Sequence, residues 1–188
     1  MNKAGDQIQN QATGKRRYYH PQQKDYATFL ETSEESGGER TLIAVEVAPG
    51  GGTPPHYHKT YEERFEVLEG ELEVHVGGDT RTLRPGEKAT VLLNTLHNFR
   101  NLTTGPTTFL VELRLGSAGF EKALKAGYGL ASDGRNPLYH PYYLAVLLRW
   151  SDMRLPGLFT VAEPVLRFLA RRARRKGIDR ELEARYCR

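Results

Sequence analysis

Short stretches of alternating apolar and polar side chains, separated by glycine and proline, fill the middle of this 188-residue chain. In residues 71–76, for example, Leu72, Val74 and Val76 alternate with polar neighbours, as in a strand with one buried face. Similar runs occupy residues 25–32, 40–48, 64–69, 80–83, 88–93, 97–101 and 107–115. Many short strands joined by tight turns predict a mainly β protein built as an antiparallel sandwich or barrel.

The pattern becomes helical after residue 116. Residues 142–148 are apolar on nearly every side, which predicts a buried helix within residues 137–152. Thr160 and Glu163 have the spacing of a capping box, which predicts a further helix reaching about Lys176. We therefore expect three parts: a mobile polar arm over residues 1–24, a β domain over 25–116 and a helical C-terminal extension over 117–188.

The positive charge of the chain is concentrated in this extension. From Arg149 onward there are 11 Lys and Arg against 5 Asp and Glu, whereas residues 1–148 hold 16 against 18. The overall net charge of +4 therefore describes the tail, and it gives no information about a substrate of the β domain.

Cysteine usage and the N-terminal sequence indicate the compartment. Cys187 is the single cysteine, so no internal disulfide can form, which is typical of a reducing compartment. Residues 1–7 lack the apolar core of a secretory signal, and no apolar run approaches the roughly 20 residues that span a bilayer. We expect a soluble, cytoplasmic protein.

Two histidines lie two residues apart in a stretch bounded by glycines, residues 50–70. If His56 and His58 lie on a strand, their imidazoles point to the same face, because side chains alternate along a strand. A carboxylate follows at Glu62 or Glu63. Two imidazoles with a nearby carboxylate make up most of a metal site.

This stretch resembles the first signature motif of the cupin family. The motif consists of a glycine, a His-x-His pair, a glutamate and a second glycine, which here are Gly50, His56, His58, Glu63 and Gly70. Glu63 is preferred to Glu62 because it leaves the required six residues before the second glycine. The resemblance extends over about residues 40–115.

The second signature motif of the family ends in histidine and, four residues later, asparagine. His97 and Asn101 fit these positions. The family usually has proline and glycine five and three residues before that histidine, where this chain has Leu92 and Asn94. Asparagine tolerates the left-handed backbone of a turn glycine, so we expect the turn to be kept.

The resemblance implies a fold and a ligand set. The fold is the cupin antiparallel β-barrel, a jelly-roll-like double-stranded β-helix, here followed by C-terminal helices. The ligands are His56, His58, Glu63 and His97, holding a divalent transition metal: Fe, Mn, Ni, Cu, Co or Zn. Four protein ligands leave two positions of an octahedral ion for substrate oxygen, water or dioxygen.

Cupins with the full ligand set are commonly dioxygenases, decarboxylases or isomerases. The first hypothesis is therefore a metalloenzyme acting on a small oxygenated or enolisable substrate, with a metal-dependent dioxygenase or other oxidoreductase among the options. The resemblance suggests that Glu63 could loosen from the metal and act as a base; it assigns no other catalytic residue and implies no further cofactor. The alternative is a non-catalytic small-molecule-binding or regulatory module whose basic C-terminal helix engages a partner or an anionic surface. Relatives often dimerise by exchanging or pairing edge strands, so we expect a homodimer with residues 25–32 as the exchanged or paired strand.

The predicted C-terminal helix carries an apolar stripe beside basic residues. The apolar residues are Val161, Val165, Leu166, Phe168, Leu169 and Ala173, and the basic ones are Arg167, Arg171, Arg172, Arg174, Arg175 and Lys176. Such a helix can lie on an anionic membrane or contact nucleic acid. We expect instead that the stripe packs on its own domain. No helix-turn-helix pattern is evident, which disfavours binding to nucleic acid.

Overall fold

The computed structural model describes residues 16–187, and a β domain comes first in this part of the chain. Its strands are β1 (Arg17–His20), β2 (Asp25–Glu31), β3 (Thr41–Val47), β4 (Glu62–Glu69), β5 (Leu72–Val76), β6 (Asp79–Leu83), β7 (Lys88–Val91), β8 (His97–Arg100) and β9 (Thr107–Arg114). They form two antiparallel sheets, a larger one in the order β1-β2-β3-β9-β4-β7 and a smaller one in the order β6-β5-β8.

The predicted alternation of side chains builds the core of this domain. Along β4, buried and partly exposed residues alternate, so that Phe65 and Val67 face inward. Phe99 of the smaller sheet packs edge-on against Phe109 of the larger sheet, with ring centroids 4.9 Å apart. The two sheets therefore share one apolar core, in the jelly-roll-like antiparallel arrangement that the sequence predicts.

A helical extension follows the β domain. Its helices are α1 (Ala118–Ser132), α2 (Pro141–Ser151), α3 (Leu158–Val161), α4 (Glu163–Arg175) and α5 (Ile178–Tyr186), with a 3₁₀ turn at Pro137–Tyr139. Leu130, Val146, Ala173 and Leu182 form a second apolar core between these helices. Within residues 16–187, no helix is both long and apolar enough to cross a membrane.

The N-terminal boundary differs from the prediction. Residues 17–20 form β1 and pair with β2, and Tyr18 packs edge-on against Phe29 at 5.9 Å. The polar arm therefore does not extend to residue 24; its remainder, residues 1–15, lies outside the described residues. Because β2 lies between β1 and β3, residues 25–31 have no free edge, and the prediction that they pair with a second copy is wrong.

The predicted capping box is also wrong. Thr160 donates its hydroxyl to the Leu155 carbonyl at 3.3 Å, and no side chain caps α4. The Glu163 carboxylate instead forms ion pairs with Arg154 and Arg167. Arg154, nine residues earlier, and Arg167, one helical turn later, thus take the carboxylate that the capping box would have used.

Helix α1 contains two glycines in its second half, Gly127 and Gly129, which differ in their surroundings. A Cβ on Gly129 would lie 2.3 Å from Cδ1 of Tyr186 in α5, whereas a Cβ on Gly127 would meet only Leu147 at 3.8 Å. Gly129 is therefore required for the close packing of α5 on α1.

We predict opposite effects for alanine at these two positions. Gly127→Ala should raise the free energy of unfolding by up to about 1 kcal/mol, because alanine favours the helix. Gly129→Ala should lower it by about 1–3 kcal/mol, because the ring of Tyr186 must move. Urea unfolding followed by circular dichroism measures both. Equal stabilisation by the two substitutions would contradict the packing of α5 against α1.

Candidate metal centre

Two of the histidines lie on facing chain segments. The amide of His56 donates to the carbonyl of His97 at 3.0 Å, and the amide of His97 donates back at 2.8 Å. His56 lies in this isolated bridge rather than in a regular strand, so the strand considered for the pair in the sequence is not formed. His58 is buried on the same side nevertheless, with its ring centroid 5.0 Å from that of His56.

Glu63 joins the histidines because of its position in β4. The strand runs between β9 and β7, and Glu63 is opposite Leu113 on one side and Val91 on the other. Side chains alternate along it, so Glu63 is buried while Glu62 is turned the other way and is only partly buried. The structure therefore places Glu63, and not Glu62, with the histidines.

The four side chains form a compact buried cluster. Each is at most 5% exposed, and one potential ligand atom from each lies within 4.8 Å of the others. Oε1 of Glu63 is 3.4 Å from Nε2 of His58, and Oε2 is 3.1 Å from Nε2 of His97. The residues predicted from the two motifs, His56, His58, Glu63 and His97, are thus brought together.

Hydrogen bonds at Nδ1 fix the tautomer of each imidazole. His56 donates Nδ1–H to the carbonyl of Pro54 at 2.8 Å, and His97 donates Nδ1–H to the carbonyl of Thr95 at 2.9 Å. The hydroxyl of Tyr61 donates to the carbonyl of Ser151 at 2.7 Å, so its oxygen accepts Nδ1–H from His58, also at 2.7 Å. In all three rings Nε2 is therefore the nitrogen that faces the cluster and can bind a cation, at His97 once the proton shared with Glu63 is displaced.

Burial and mutual charge set the ionisation of the cluster. Burial, with the neighbouring histidines, lowers the pKa of His56 to about 3, so this imidazole is neutral. Burial acts to raise the pKa of Glu63, but its close contacts with His58 and His97 and their charge outweigh burial and hold this pKa well below its usual value. Burial acts to lower the pKa of His97, and Glu63 outweighs it in the same way, so the pKa of His97 is raised.

This donor set fits a divalent transition metal. Nε2 of His58 is buried and has no hydrogen-bond partner among residues 16–187, although an unpaired buried polar atom is costly. A cation ligated by Nε2 of the histidines and by Glu63 would satisfy that atom and replace the proton that His97 and Glu63 share. Imidazole with carboxylate suits Fe, Mn, Ni, Cu, Co and Zn alike, so the ligands do not select one metal.

The second motif contributes turns and packing around the ligands. Asn94 has a positive φ of 61°, as predicted for the residue that replaces the usual glycine, and its amide donates to the carbonyl of His58 at 2.7 Å. Asn101 is fully buried, and its side-chain amide donates to the carbonyls of Val47 and Gly105 at 2.9 and 2.8 Å. Asn101 therefore fixes the end of β8 and is not a ligand.

The other histidines of the chain lie apart from the cluster. His75 contacts Glu73 and Thr80 on the outer side of the smaller sheet. His20 packs edge-on against Tyr128, and His140 stacks on Tyr143 with centroids 3.7 Å apart.

The sequence did not predict that the helical extension holds the loop that carries His58. Tyr57 and Arg154 exchange backbone hydrogen bonds of 3.0 and 2.9 Å. The carboxylate of Asp152 accepts from the amide of Lys59 at 2.8 Å and from the hydroxyl of Thr60 at 3.0 Å. Together with the hydrogen bond from Tyr61 to Ser151, these contacts form a clamp between residues 151–154 and residues 57–61.

We predict that Tyr61→Phe weakens metal binding. The substitution leaves Nδ1–H of His58 buried without its acceptor and frees the ring to turn, so metal affinity should fall about 10- to 100-fold. Calorimetric titration of Zn²⁺ into metal-free protein measures the effect. Tyr57→Phe is the matched control, because Tyr57 takes part in the clamp through its backbone. Equal affinities of the two variants would contradict a positioning role for Tyr61.

Comparison with known proteins agrees with the sequence motifs. A family model described as "Cupin domain" matches residues 43–112. No curated protein matches the chain.

Similar solved structures cover about half of the chain. KdgF from Halomonas sp. is 17% identical over 52% of this chain and 86% of its own, with a TM-score of 0.47. A predicted oxalate decarboxylase from Thermotoga maritima is 20% identical over 48% and 80%, with a TM-score of 0.47. The polyketide cyclase RemF from Streptomyces resistomycificus is 24% identical over 56% and 76%, with a TM-score of 0.48.

The family match runs from β3 to β9 and includes every residue of the buried cluster. It also includes Asn94 and Asn101, which occupy the turn and the strand end that the second motif predicts. On these grounds residues 43–112 are identified as a cupin domain.

Proposed function

We propose that this cupin is a metal-dependent enzyme that acts on a small oxygenated or enolisable molecule, as a dioxygenase, decarboxylase or isomerase. The observation that carries the proposal is the buried carboxylate of Glu63 beside three imidazoles, each with Nδ1 already engaged. An arrangement of four buried, oriented donors is costly to maintain unless a ligand compensates for it. Within residues 16–187 this is the one group of side chains with the composition and spacing of a metal site.

A bound divalent cation would supply Lewis-acid chemistry toward substrate oxygens. The residues of the chain orient the donor atoms and exclude water. The acceptors at Pro54, Tyr61 and Thr95 hold the three imidazoles in one orientation, so that little reorganisation is needed when a substrate binds. Burial of the cluster keeps bulk water from competing for the donor atoms.

Glu63 is the candidate proton acceptor, and its surroundings limit that role. The low pKa of its carboxyl makes it a weak base while it faces His58 and His97. To accept a proton from a substrate, the carboxylate would have to leave these partners, and its pKa would then rise. We propose that such a step, if the reaction includes proton abstraction, follows substrate binding.

One observation favours the alternative of a non-catalytic, ligand-sensing module. The clamp at residues 151–154 joins the helical extension directly to the loop of His58, so a change at the site can reach the helices. A small-molecule ligand and a homodimer are part of both proposals. The two proposals differ in whether the protein converts its ligand into a product, which only an enzyme does.

We predict about one transition-metal ion per chain in protein purified without chelator. His97→Ala should reduce this content about tenfold or more, because a buried ligand and the partner of Glu63 are both lost. His75→Ala removes an imidazole outside the cluster and should leave the content unchanged. Elemental analysis by mass spectrometry measures all three proteins.

An oxygen-electrode screen, with parallel assays for decarboxylation and isomerisation of small hydroxy and keto acids, then tests catalysis. Failure of the wild-type protein to hold any of the six metals, even after reconstitution, would overturn the metal site itself. A loaded protein that binds small acids without converting them would favour the sensing module.

A further inference from the structure

Helices α3 and α4 expose a line of large apolar side chains. Leu158, Val161, Val165 and Phe168 are 82%, 77%, 57% and 53% exposed. Leu158 and Val161 lie three residues apart in α3, and Val165 and Phe168 lie three residues apart in α4, so the two residues of each pair lie on one side of their helix. We call these four residues the exposed stripe. The expectation that Val161, Val165 and Phe168 pack on their own domain is therefore wrong.

A different side of α4 anchors the helix. Ala173 is fully buried against a core that includes Val146 and Leu182, and Leu166 and Leu169 are partly buried. The helix is thus already packed, and the exposed stripe is additional apolar surface. A contiguous exposed apolar patch on a folded domain marks an interaction surface.

Unpaired positive charge follows the exposed stripe along the chain. Arg171, Arg172 and Arg175 are exposed, and none of them has an ion-pair partner in the described part of the chain. Lys176 is also exposed and has no ion pair there, with its Nζ 5.2 Å from the centroid of the Tyr142 ring. Arg167, by contrast, is paired with Glu163. Along the chain, the apolar side chains of the exposed stripe therefore come first, and the cations of residues 171–176 follow over the next two turns.

We propose that α3 and α4 dock on the surface of an anionic lipid bilayer. The exposed stripe would enter the boundary between headgroups and acyl chains, and the cations of residues 171–176 would lie among the lipid phosphates. An amphipathic helix that combines an apolar face with Arg and Lys has this mode of binding, and each cation near an anionic surface adds to the attraction.

The charge pattern disfavours other occupants. In a second copy, a parallel pairing would bring the cations of both helices together, and an antiparallel pairing would place them on the partner's apolar residues. Nucleic acid would satisfy the cations and leave the exposed stripe in water. Residues 1–15 offer only Met1 and Ile8 as large apolar side chains, too few to cover four.

This docking does not depend on the proposed function, because it involves no residue of the metal centre. Co-sedimentation of the full chain with vesicles of phosphatidylcholine, with and without about one-third phosphatidylglycerol, tests it. We expect binding to the anionic vesicles, at least about tenfold weaker binding to neutral ones, and release as salt is raised.

Variants of exposed residues separate the contribution of the apolar side chains to vesicle binding from that of the cations. The double substitution V165S/F168S should weaken binding about tenfold or more by removing apolar area, and R172Q/R175Q should do the same while reducing the salt dependence. R81Q/R84Q is the matched control: it also removes two exposed arginines, but from the β domain, and should bind as the wild type does.

Three results would overturn the proposal. The first is no co-sedimentation of the wild-type protein with anionic vesicles. The second is equal loss of binding in R81Q/R84Q and R172Q/R175Q, which would indicate attraction by net charge alone. The third is a dimer, seen by light scattering, that V165S/F168S converts to monomer while vesicle binding is unchanged, which would assign the exposed stripe to a second copy.

Discussion

The hydroxyl of Tyr61 is the point on which the candidate metal centre and the helical extension depend together. It donates to the carbonyl of Ser151 at the end of α2 and accepts Nδ1–H from His58. Both hydrogen bonds are buried, so either one, if broken, leaves a polar group without water to replace its partner. The orientation of one potential ligand is thereby tied to the packing of a helix about 90 residues further along the chain.

The three histidines differ in what holds them. His56 and His97 each donate to a backbone carbonyl two residues earlier, at Pro54 and Thr95, so local chain geometry orients both. His58 relies on a side chain and, through it, on the extension. A loosened extension should therefore disturb His58 first and leave the other two histidines in place. The clamp therefore matters for either proposed function, because it links one potential ligand, His58, to the C-terminal helices.

Much of the fold and of the cluster could be predicted, because the signals are local. Alternation along β4 places Glu63 inward and Glu62 outward, and motif spacing identifies the same residue. The left-handed turn at Asn94 follows from the backbone preference of asparagine. In each case a few consecutive residues determine the outcome.

The features that could not be predicted from the sequence depend on contacts between separate segments of the chain. Nothing near residue 17 shows that β1 will cover the edge of β2, and nothing near Glu163 shows that Arg154 will take its carboxylate. The apolar residues of α3 and α4 fit a packed helix as well as an exposed one; only the position of α2 and α5 decides that Ala173 is covered and Phe168 is not. The clamp could not be predicted either, because residues 57–61 and residues 151–154 contain no sequence pattern that indicates their contact.

We propose that His56, His58, Glu63 and His97 ligate one metal ion, the histidines through Nε2. X-ray absorption spectroscopy of the zinc-loaded protein tests it most directly. The structure predicts a first shell with three imidazoles and one carboxylate oxygen, at about 2.0–2.2 Å, and two imidazoles after His97→Ala. A shell with fewer than three imidazoles in the wild-type protein, or one unchanged in His97→Ala, would contradict the claim.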